Sequence, residues 1–195
     1  MGRAGVLAGY RPDRDRHCHS GHSYLCDSIY STRPMRVLGY RGTSLNSHAI
    51  KFQTRSIYSH IGTQLNDGSV IEAWAEGFFK GNVRRIKNPF IKHADNTLID
   101  VYNLHPDVIG DFDAEHAEDY LIHQIGQKYD YSSVFRFMTR REATDNDKKF
   151  CSELAELAFI EGGVRLLNGN PSEHSPRDTL LSPYLVFEET IWKDK

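Results

Sequence analysis

The sequence predicts an α+β domain, and three observations lead there. Strand-like stretches crowd the first part of the folded region and helical ones the second, an order that suits α+β better than a parallel α/β sheet. Residues 57–65 (IYSHIGTQL) and 69–74 (SVIEAW) alternate apolar and polar around Asn66-Asp67-Gly68, a strong hairpin signal because Gly takes positive φ without steric cost. Residues 148–163 (KKFCSELAELAFIEGG) place Cys151, Leu154, Ala155 and Ala158 at i, i+3, i+4 and i+7, one stripe of a helix.

Composition narrows the class. A chain of 195 residues is long enough for a substantial core in one domain. Its 39% apolar and 26% charged residues are ordinary for a soluble globular protein. A formal net charge of −2 gives no reason to expect nucleic acid as the main partner. Three cysteines at unrelated spacings make no disulfide framework, which points to a reducing compartment and a cytoplasmic chain. No run of about 18 apolar residues is present, so no membrane span is expected. The first residues lack the apolar stretch of a signal peptide, and Val6 breaks the myristoylation pattern.

Residues 1–34 read as an arm or leader, or as translated sequence ahead of a start at Met35. They are rich in Arg, Ser, His and Gly and show little periodicity. His17, Cys18, His19, His22 and Cys26 are zinc-type ligands, but their spacing fits no closed zinc site, so no metal is assigned. The folded domain is expected over residues 35–195. Within it, residues 35–40 suggest a strand and 44–54 a short amphipathic helix with Leu45, Ala49, Ile50 and Phe52 available for burial. Strands over 57–65, 69–74, 78–86 and 97–103 follow, with Asn88-Pro89 marking a break. Residues 113–126 open with Asp-Ala-Glu and close on Gly, as a helix does. For the helix over 148–163, Asp145, Asn146 and Asp147 are the candidate caps and Gly162-Gly163 the left-handed stop. A polar loop at 168–175 and an apolar run at 184–187 complete the chain.

The hairpin carries chemistry. A three-residue loop pairs Leu65 with Ser69, Gly62 with Glu72 and His60 with Trp74, which sets His60 and Glu72 on one face as diagonal neighbours, whereas a two-residue loop would put them on opposite faces. Gly62, beside His60, leaves room for another element. Cys151, in the opening turn of its helix, feels the positive end of the helix dipole, which favours the nucleophilic thiolate. If that helix packs on the His60 face, thiol, imidazole and carboxylate fall in line: a nucleophile, its base, and the group that fixes the tautomer. Tyr58, Trp74, Phe78 and Phe79 are the aromatic residues placed near such a cleft, although core packing is the commoner use of such side chains.

Together, YRGTSLNSHAIKFQTRSIYSHIGT, DGSVIEAW, KYDYSS and KFCSELAELAF resemble the circularly permuted NlpC/P60 proteins of the papain-like superfamily, of the YiiX and poxvirus G6 type. The resemblance covers residues 35 to 184. It implies a papain-like antiparallel sheet with the nucleophile-bearing helix packed on it. It further implies Cys151 as nucleophile, His60 as general base and Glu72 as orienting group, with an oxyanion-binding Tyr at Tyr129 or Tyr131, Tyr129 being preferred. The backbone N–H of Cys151 would be the second oxyanion donor. The activity implied is thiol-dependent amide hydrolysis, without a cofactor, on a peptide, a peptidoglycan-type peptide or a lipid acyl substrate. A lipid-directed acyltransferase and a non-catalytic binding protein are the alternatives. Some relatives carry His where this chain has Ala75.

Overall fold

The computed structural model describes residues 35–76, 80–128 and 150–192. The arm at 1–34, Phe78, Phe79, Tyr129, Tyr131 and the candidate caps Asp145 to Asp147 lie outside these residues. Among the described residues the protein is α+β: six antiparallel strands form one sheet in the order β4-β3-β2-β1-β5-β6. The strands are β1 (Arg36–Arg41), β2 (His60–Gln64), β3 (Val70–Glu76), β4 (Lys80–Ile86), β5 (Leu98–Leu104) and β6 (Leu185–Trp192). The helices are α1 (Leu45–Thr54), α2 (Pro106–Ile109), α3 (Ala114–His123), α4 (Cys151–Glu161) and α5 (Pro176–Leu180). None is long and apolar enough to cross a membrane.

The hairpin register is the one its turn dictates. Leu65 N–H donates to the Ser69 carbonyl (2.8 Å), and Gly68, at φ +83°, closes the turn onto Leu65. Thr63 then faces Ile71, and Gln64 faces Val70. Beyond Thr63 the recorded pairing of β2 with β3 stops; β2 continues against β1 (Tyr40 opposite His60), and β3 against β4 (Glu72 opposite Arg84).

Alternation divides the sheet into two faces. Val37, Ile61, Ile71, Ala73 and Val83 pack with Leu154, Ala155, Ala158 and Phe159 of α4 in the larger core, which α3 joins through Ala117 and Leu121. The other face carries Leu38, Tyr40, Val70, Ile86, Ile99 and Val101 under Phe90. Across the centre, the fully buried Asp100 accepts hydrogen bonds from Arg41 Nε (2.8 Å), Tyr58 Oη (2.7 Å) and Thr190 Oγ1 (2.6 Å), tying β1, β5 and β6 together. Tyr58 therefore serves this buried network rather than a cleft.

Two local expectations are corrected. The N-cap of α4 is Phe150, buried at 2%, whose N–H donates to Glu153 Oε2 (3.3 Å); anchoring the ring in the core takes precedence over an acidic cap. At the far end it is Gly163, at φ +90°, that takes the left-handed conformation, while Val164 N–H closes on the Phe159 carbonyl (2.8 Å). The second correction concerns α1. Ser47, Ile50 and Thr54 face the body, leaving Leu45 and Phe52 each 88% exposed instead of buried.

Candidate thiol–imidazole–carboxylate site

Cys151 is the first residue of α4, and the stripe expected from its spacing is wholly interior: Cys151, Leu154, Ala155 and Ala158 are all 2% exposed or less. That stripe packs on the Ile61–Ile71–Ala73 face, opposite the one bearing His60 and Glu72. The helix thus does not lie on the His60 face. Its first turn instead lies near the start of β2, and the Cys151 sulfur is close enough to the His60 ring to raise its pKa.

His60 Nε2 lies 2.8 Å from Glu72 Oε2, so Nδ1 is the ring nitrogen left for the sulfur. The carboxylate is 1% exposed, and its other oxygen accepts from Arg84 Nε (2.9 Å) and Nη2 (2.6 Å), a forked pair. The Arg84 guanidinium also sits 4.0 Å above the Trp74 ring. His93, from the loop after β4, places Nε2 at 3.7 Å from Glu72 Oε2, stacks on Tyr40 (4.3 Å between centroids) and meets Trp74 edge-on (4.8 Å). Glu72 is therefore enclosed by two imidazoles and one guanidinium.

These contacts set the charges. Burial alone would push His60 down; the adjoining Cys151 sulfur and then Glu72, each through charge and hydrogen bonding, outweigh it and lift His60 from 6.5 to about 9. Burial would raise Glu72, but the contacts of His60 and His93 and the charges of His60 and Arg84 hold it well below the usual carboxylate range. His93 is held below the usual imidazole range, first by burial and then by the His60 and Arg84 charges, against the opposing pull of Glu72. These shifts favour an imidazolium at His60, a carboxylate at Glu72 and the neutral form at His93.

Of the residues the sequence singled out, Cys151, His60 and Glu72 come together, and Trp74 borders them. Tyr129 and Tyr131 lie outside the described residues. The room beside Gly62 is occupied by Val70 and the Tyr40 ring; a Cβ there would approach Val70 Cγ1 to 2.8 Å. Arg84 and His93 were not anticipated. Arg84 becomes legible once β4 is paired in register, because it stands directly opposite Glu72. His93 carries no sequence signal, since it belongs to an irregular loop.

A second buried pair steadies α4. Glu156, 1% exposed, receives Thr179 Oγ1 (2.5 Å) and lies 2.7 Å from His174 Nδ1, while Ser152 Oγ donates to the His174 carbonyl (2.6 Å). The turn that carries Cys151 is thereby pinned to the 171–180 segment. A cavity of about 390 Å³, lined by Val164, Leu166 and Tyr184 among others, opens past the other end of α4 and shares no residue with the Cys151 site. Among the described residues no group of three or more His, Cys, Asp or Glu is arranged to hold a metal ion.

No family model matches the sequence, and no curated protein matches it. Among solved structures, the chain is similar to the crystal structure of the metalloprotein yiiX from Escherichia coli O157:H7 (DUF1105). The identity is 17% and the TM-score 0.49, over 84% of this chain and 100% of that one.

Proposed function

We propose that this protein is a thiol-dependent hydrolase of amide bonds, in a circularly permuted papain-like fold, with Cys151 as nucleophile, His60 as acid and base, and Glu72 as the group that orients the imidazole. The observation that carries the reading is the position of His60: one nitrogen on a buried carboxylate at 2.8 Å, and the ring close enough to the Cys151 sulfur for that sulfur to raise its pKa. An imidazolium is the partner that favours a nucleophilic thiolate.

In the first half-reaction the Cys151 sulfur attacks the carbonyl carbon and forms a C–S bond. The carbonyl oxygen becomes an oxyanion facing the N-terminus of α4, where the Cys151 backbone N–H donates to it, with Tyr129 as the second donor. As the C–N bond breaks, His60 delivers its proton to the leaving amine. In the second half a water attacks the thioester carbonyl and passes a proton to His60. The C–S bond then breaks, releasing the acid and restoring the starting pair. If an alcohol or amine takes the place of water, the same site performs acyl transfer. Glu72, clamped by Arg84, stays ionised throughout and stabilises the imidazolium.

The test is the pH dependence of Cys151 alkylation, in protein with Cys18 and Cys26 changed to Ser, with and without His60→Ala. Alkylation well below pH 7 that disappears with the imidazole supports the reading. Alkylation that rises only near pH ~8.5, the ordinary thiol value, with or without His60, overturns it.

A further inference from the structure

Helix α1 turns Leu45, Ala49 and Phe52 away from the protein. Leu45, His48, Ala49, Phe52 and Arg55 follow one another at helical spacing and are all exposed, and Ile57 just beyond is 56% exposed. This orientation is built in. Ser44 caps the helix through Ser47 N–H (3.2 Å), and Thr54 Oγ1 returns to the Ile50 carbonyl (2.9 Å). Gly42 lets Ser47 approach so closely that an added Cβ would meet its Oγ at 2.3 Å.

Along the segment of chain that carries the patch, the charge has one sign. Between Gly42 and Asn66 the sequence contains no Asp or Glu, but it contains Lys51 and Arg55. Arg55 occupies the left-handed cap at φ +48°, a conformation that favours Gly, so a guanidinium stands where the backbone prefers no side chain. Arg41, by contrast, is neutralised by Asp100 and adds little. Lys51, Phe52, Ser56 and Ile57 line a shallow concavity between the apolar and the basic groups.

We propose that α1 is a peripheral docking element for an anionic lipid bilayer, with Leu45, Phe52 and Ile57 entering the headgroup–acyl boundary while Lys51 and Arg55 meet lipid phosphates. A bilayer offers both complements at once, apolar depth and a negative surface, to side chains at the edge of one short helix. Because α1 joins the end of β1 to the start of β2, the docked face lies at the same end of the sheet as His60. The inference is independent of the hydrolase reading.

The experiment is co-sedimentation of the full chain with large vesicles, comparing pure phosphatidylcholine with mixtures containing phosphatidylglycerol. The protein is expected to partition onto the anionic vesicles and to remain in solution with the neutral ones. The double variant Leu45→Ser/Phe52→Ser should lose partitioning about tenfold or more, and Lys51→Glu/Arg55→Glu should abolish the preference for phosphatidylglycerol. Leu45, Phe52 and Arg55 are exposed and Lys51 is half-buried at the surface, so circular dichroism and melting temperature should stay close to the parent's. Three results overturn the proposal. They are a parent protein that stays unbound to either vesicle; a Leu45→Ser/Phe52→Ser variant that sediments like the parent, which places binding elsewhere; and a dimer that this variant dissociates, with no vesicle binding.

Discussion

Replacing Glu72 by Gln is the most informative single change at this site. It removes one charge and almost no volume, so the response reports electrostatics rather than packing. Arg84 keeps its stacking on Trp74 but loses the counter-charge that its two nitrogens address at 2.9 and 2.6 Å, and His60 loses its 2.8 Å partner. Breaking a buried ion pair from one side typically costs about 3–5 kcal/mol. Gln still offers an oxygen to Arg84, so the expected loss is about 3 kcal/mol, the low end of that range. The second consequence is on His60. With the Glu72 contribution gone and that of Cys151 remaining, its pKa should fall from about 9 by roughly one unit. Urea unfolding followed by fluorescence of the neighbouring Trp74 gives the stability, and histidine NMR titration gives the shift. A loss below about 1 kcal/mol together with an unmoved His60 would mean that the carboxylate is solvated and the enclosure drawn here is wrong.

Other outcomes follow from the same contacts. Because folding raises His60 from 6.5 to about 9, its contribution is complete below about pH 6.5 and lost as pH rises through 9. Unfolding free energy should therefore drop by up to about 3 kcal/mol across that window in the parent and be flatter in His60→Ala; parallel curves would refute this. His93 has the opposite sign. Its folded pKa is depressed, so the unfolded chain takes up the proton more readily and stability is lost as pH falls below the ordinary imidazole value. His93→Phe, which keeps a ring over Tyr40, should be less acid-sensitive than the parent in melts between neutral pH and about pH 5. Glu156→Ala strands His174 and leaves Thr179 Oγ1 with only its longer bond to the Ser175 carbonyl (3.3 Å), and should cost about 3 kcal/mol in chemical denaturation. A variant within 0.5 kcal/mol (~) of the parent would show that the pinning of α4 does not depend on that carboxylate.

Local chemistry determined what is read over short distances. The Asn66-Asp67-Gly68 sequence marks the turn, and with the three-residue loop that the structure adopts the register puts His60 and Glu72 on one face. The period of residues 151–158 likewise determined which side of α4 is interior. Neither signal says which face of the sheet the helix covers. The structure puts α4 on the face opposite His60, with its first turn near the imidazole, a placement decided by the packing of the whole helix and not by the hairpin. Arg84 and His93 were beyond a local reading for the same reason: each meets Glu72 through a strand register or a loop path defined by long-range packing. The exposed stripe of α1 is the sharpest case. Its apolar residues satisfy a burial pattern, yet close packing of Ser47 against Gly42 commits the opposite side of the helix to the body. Periodicity identifies the faces of an element; the remainder of the fold decides which of them meets water.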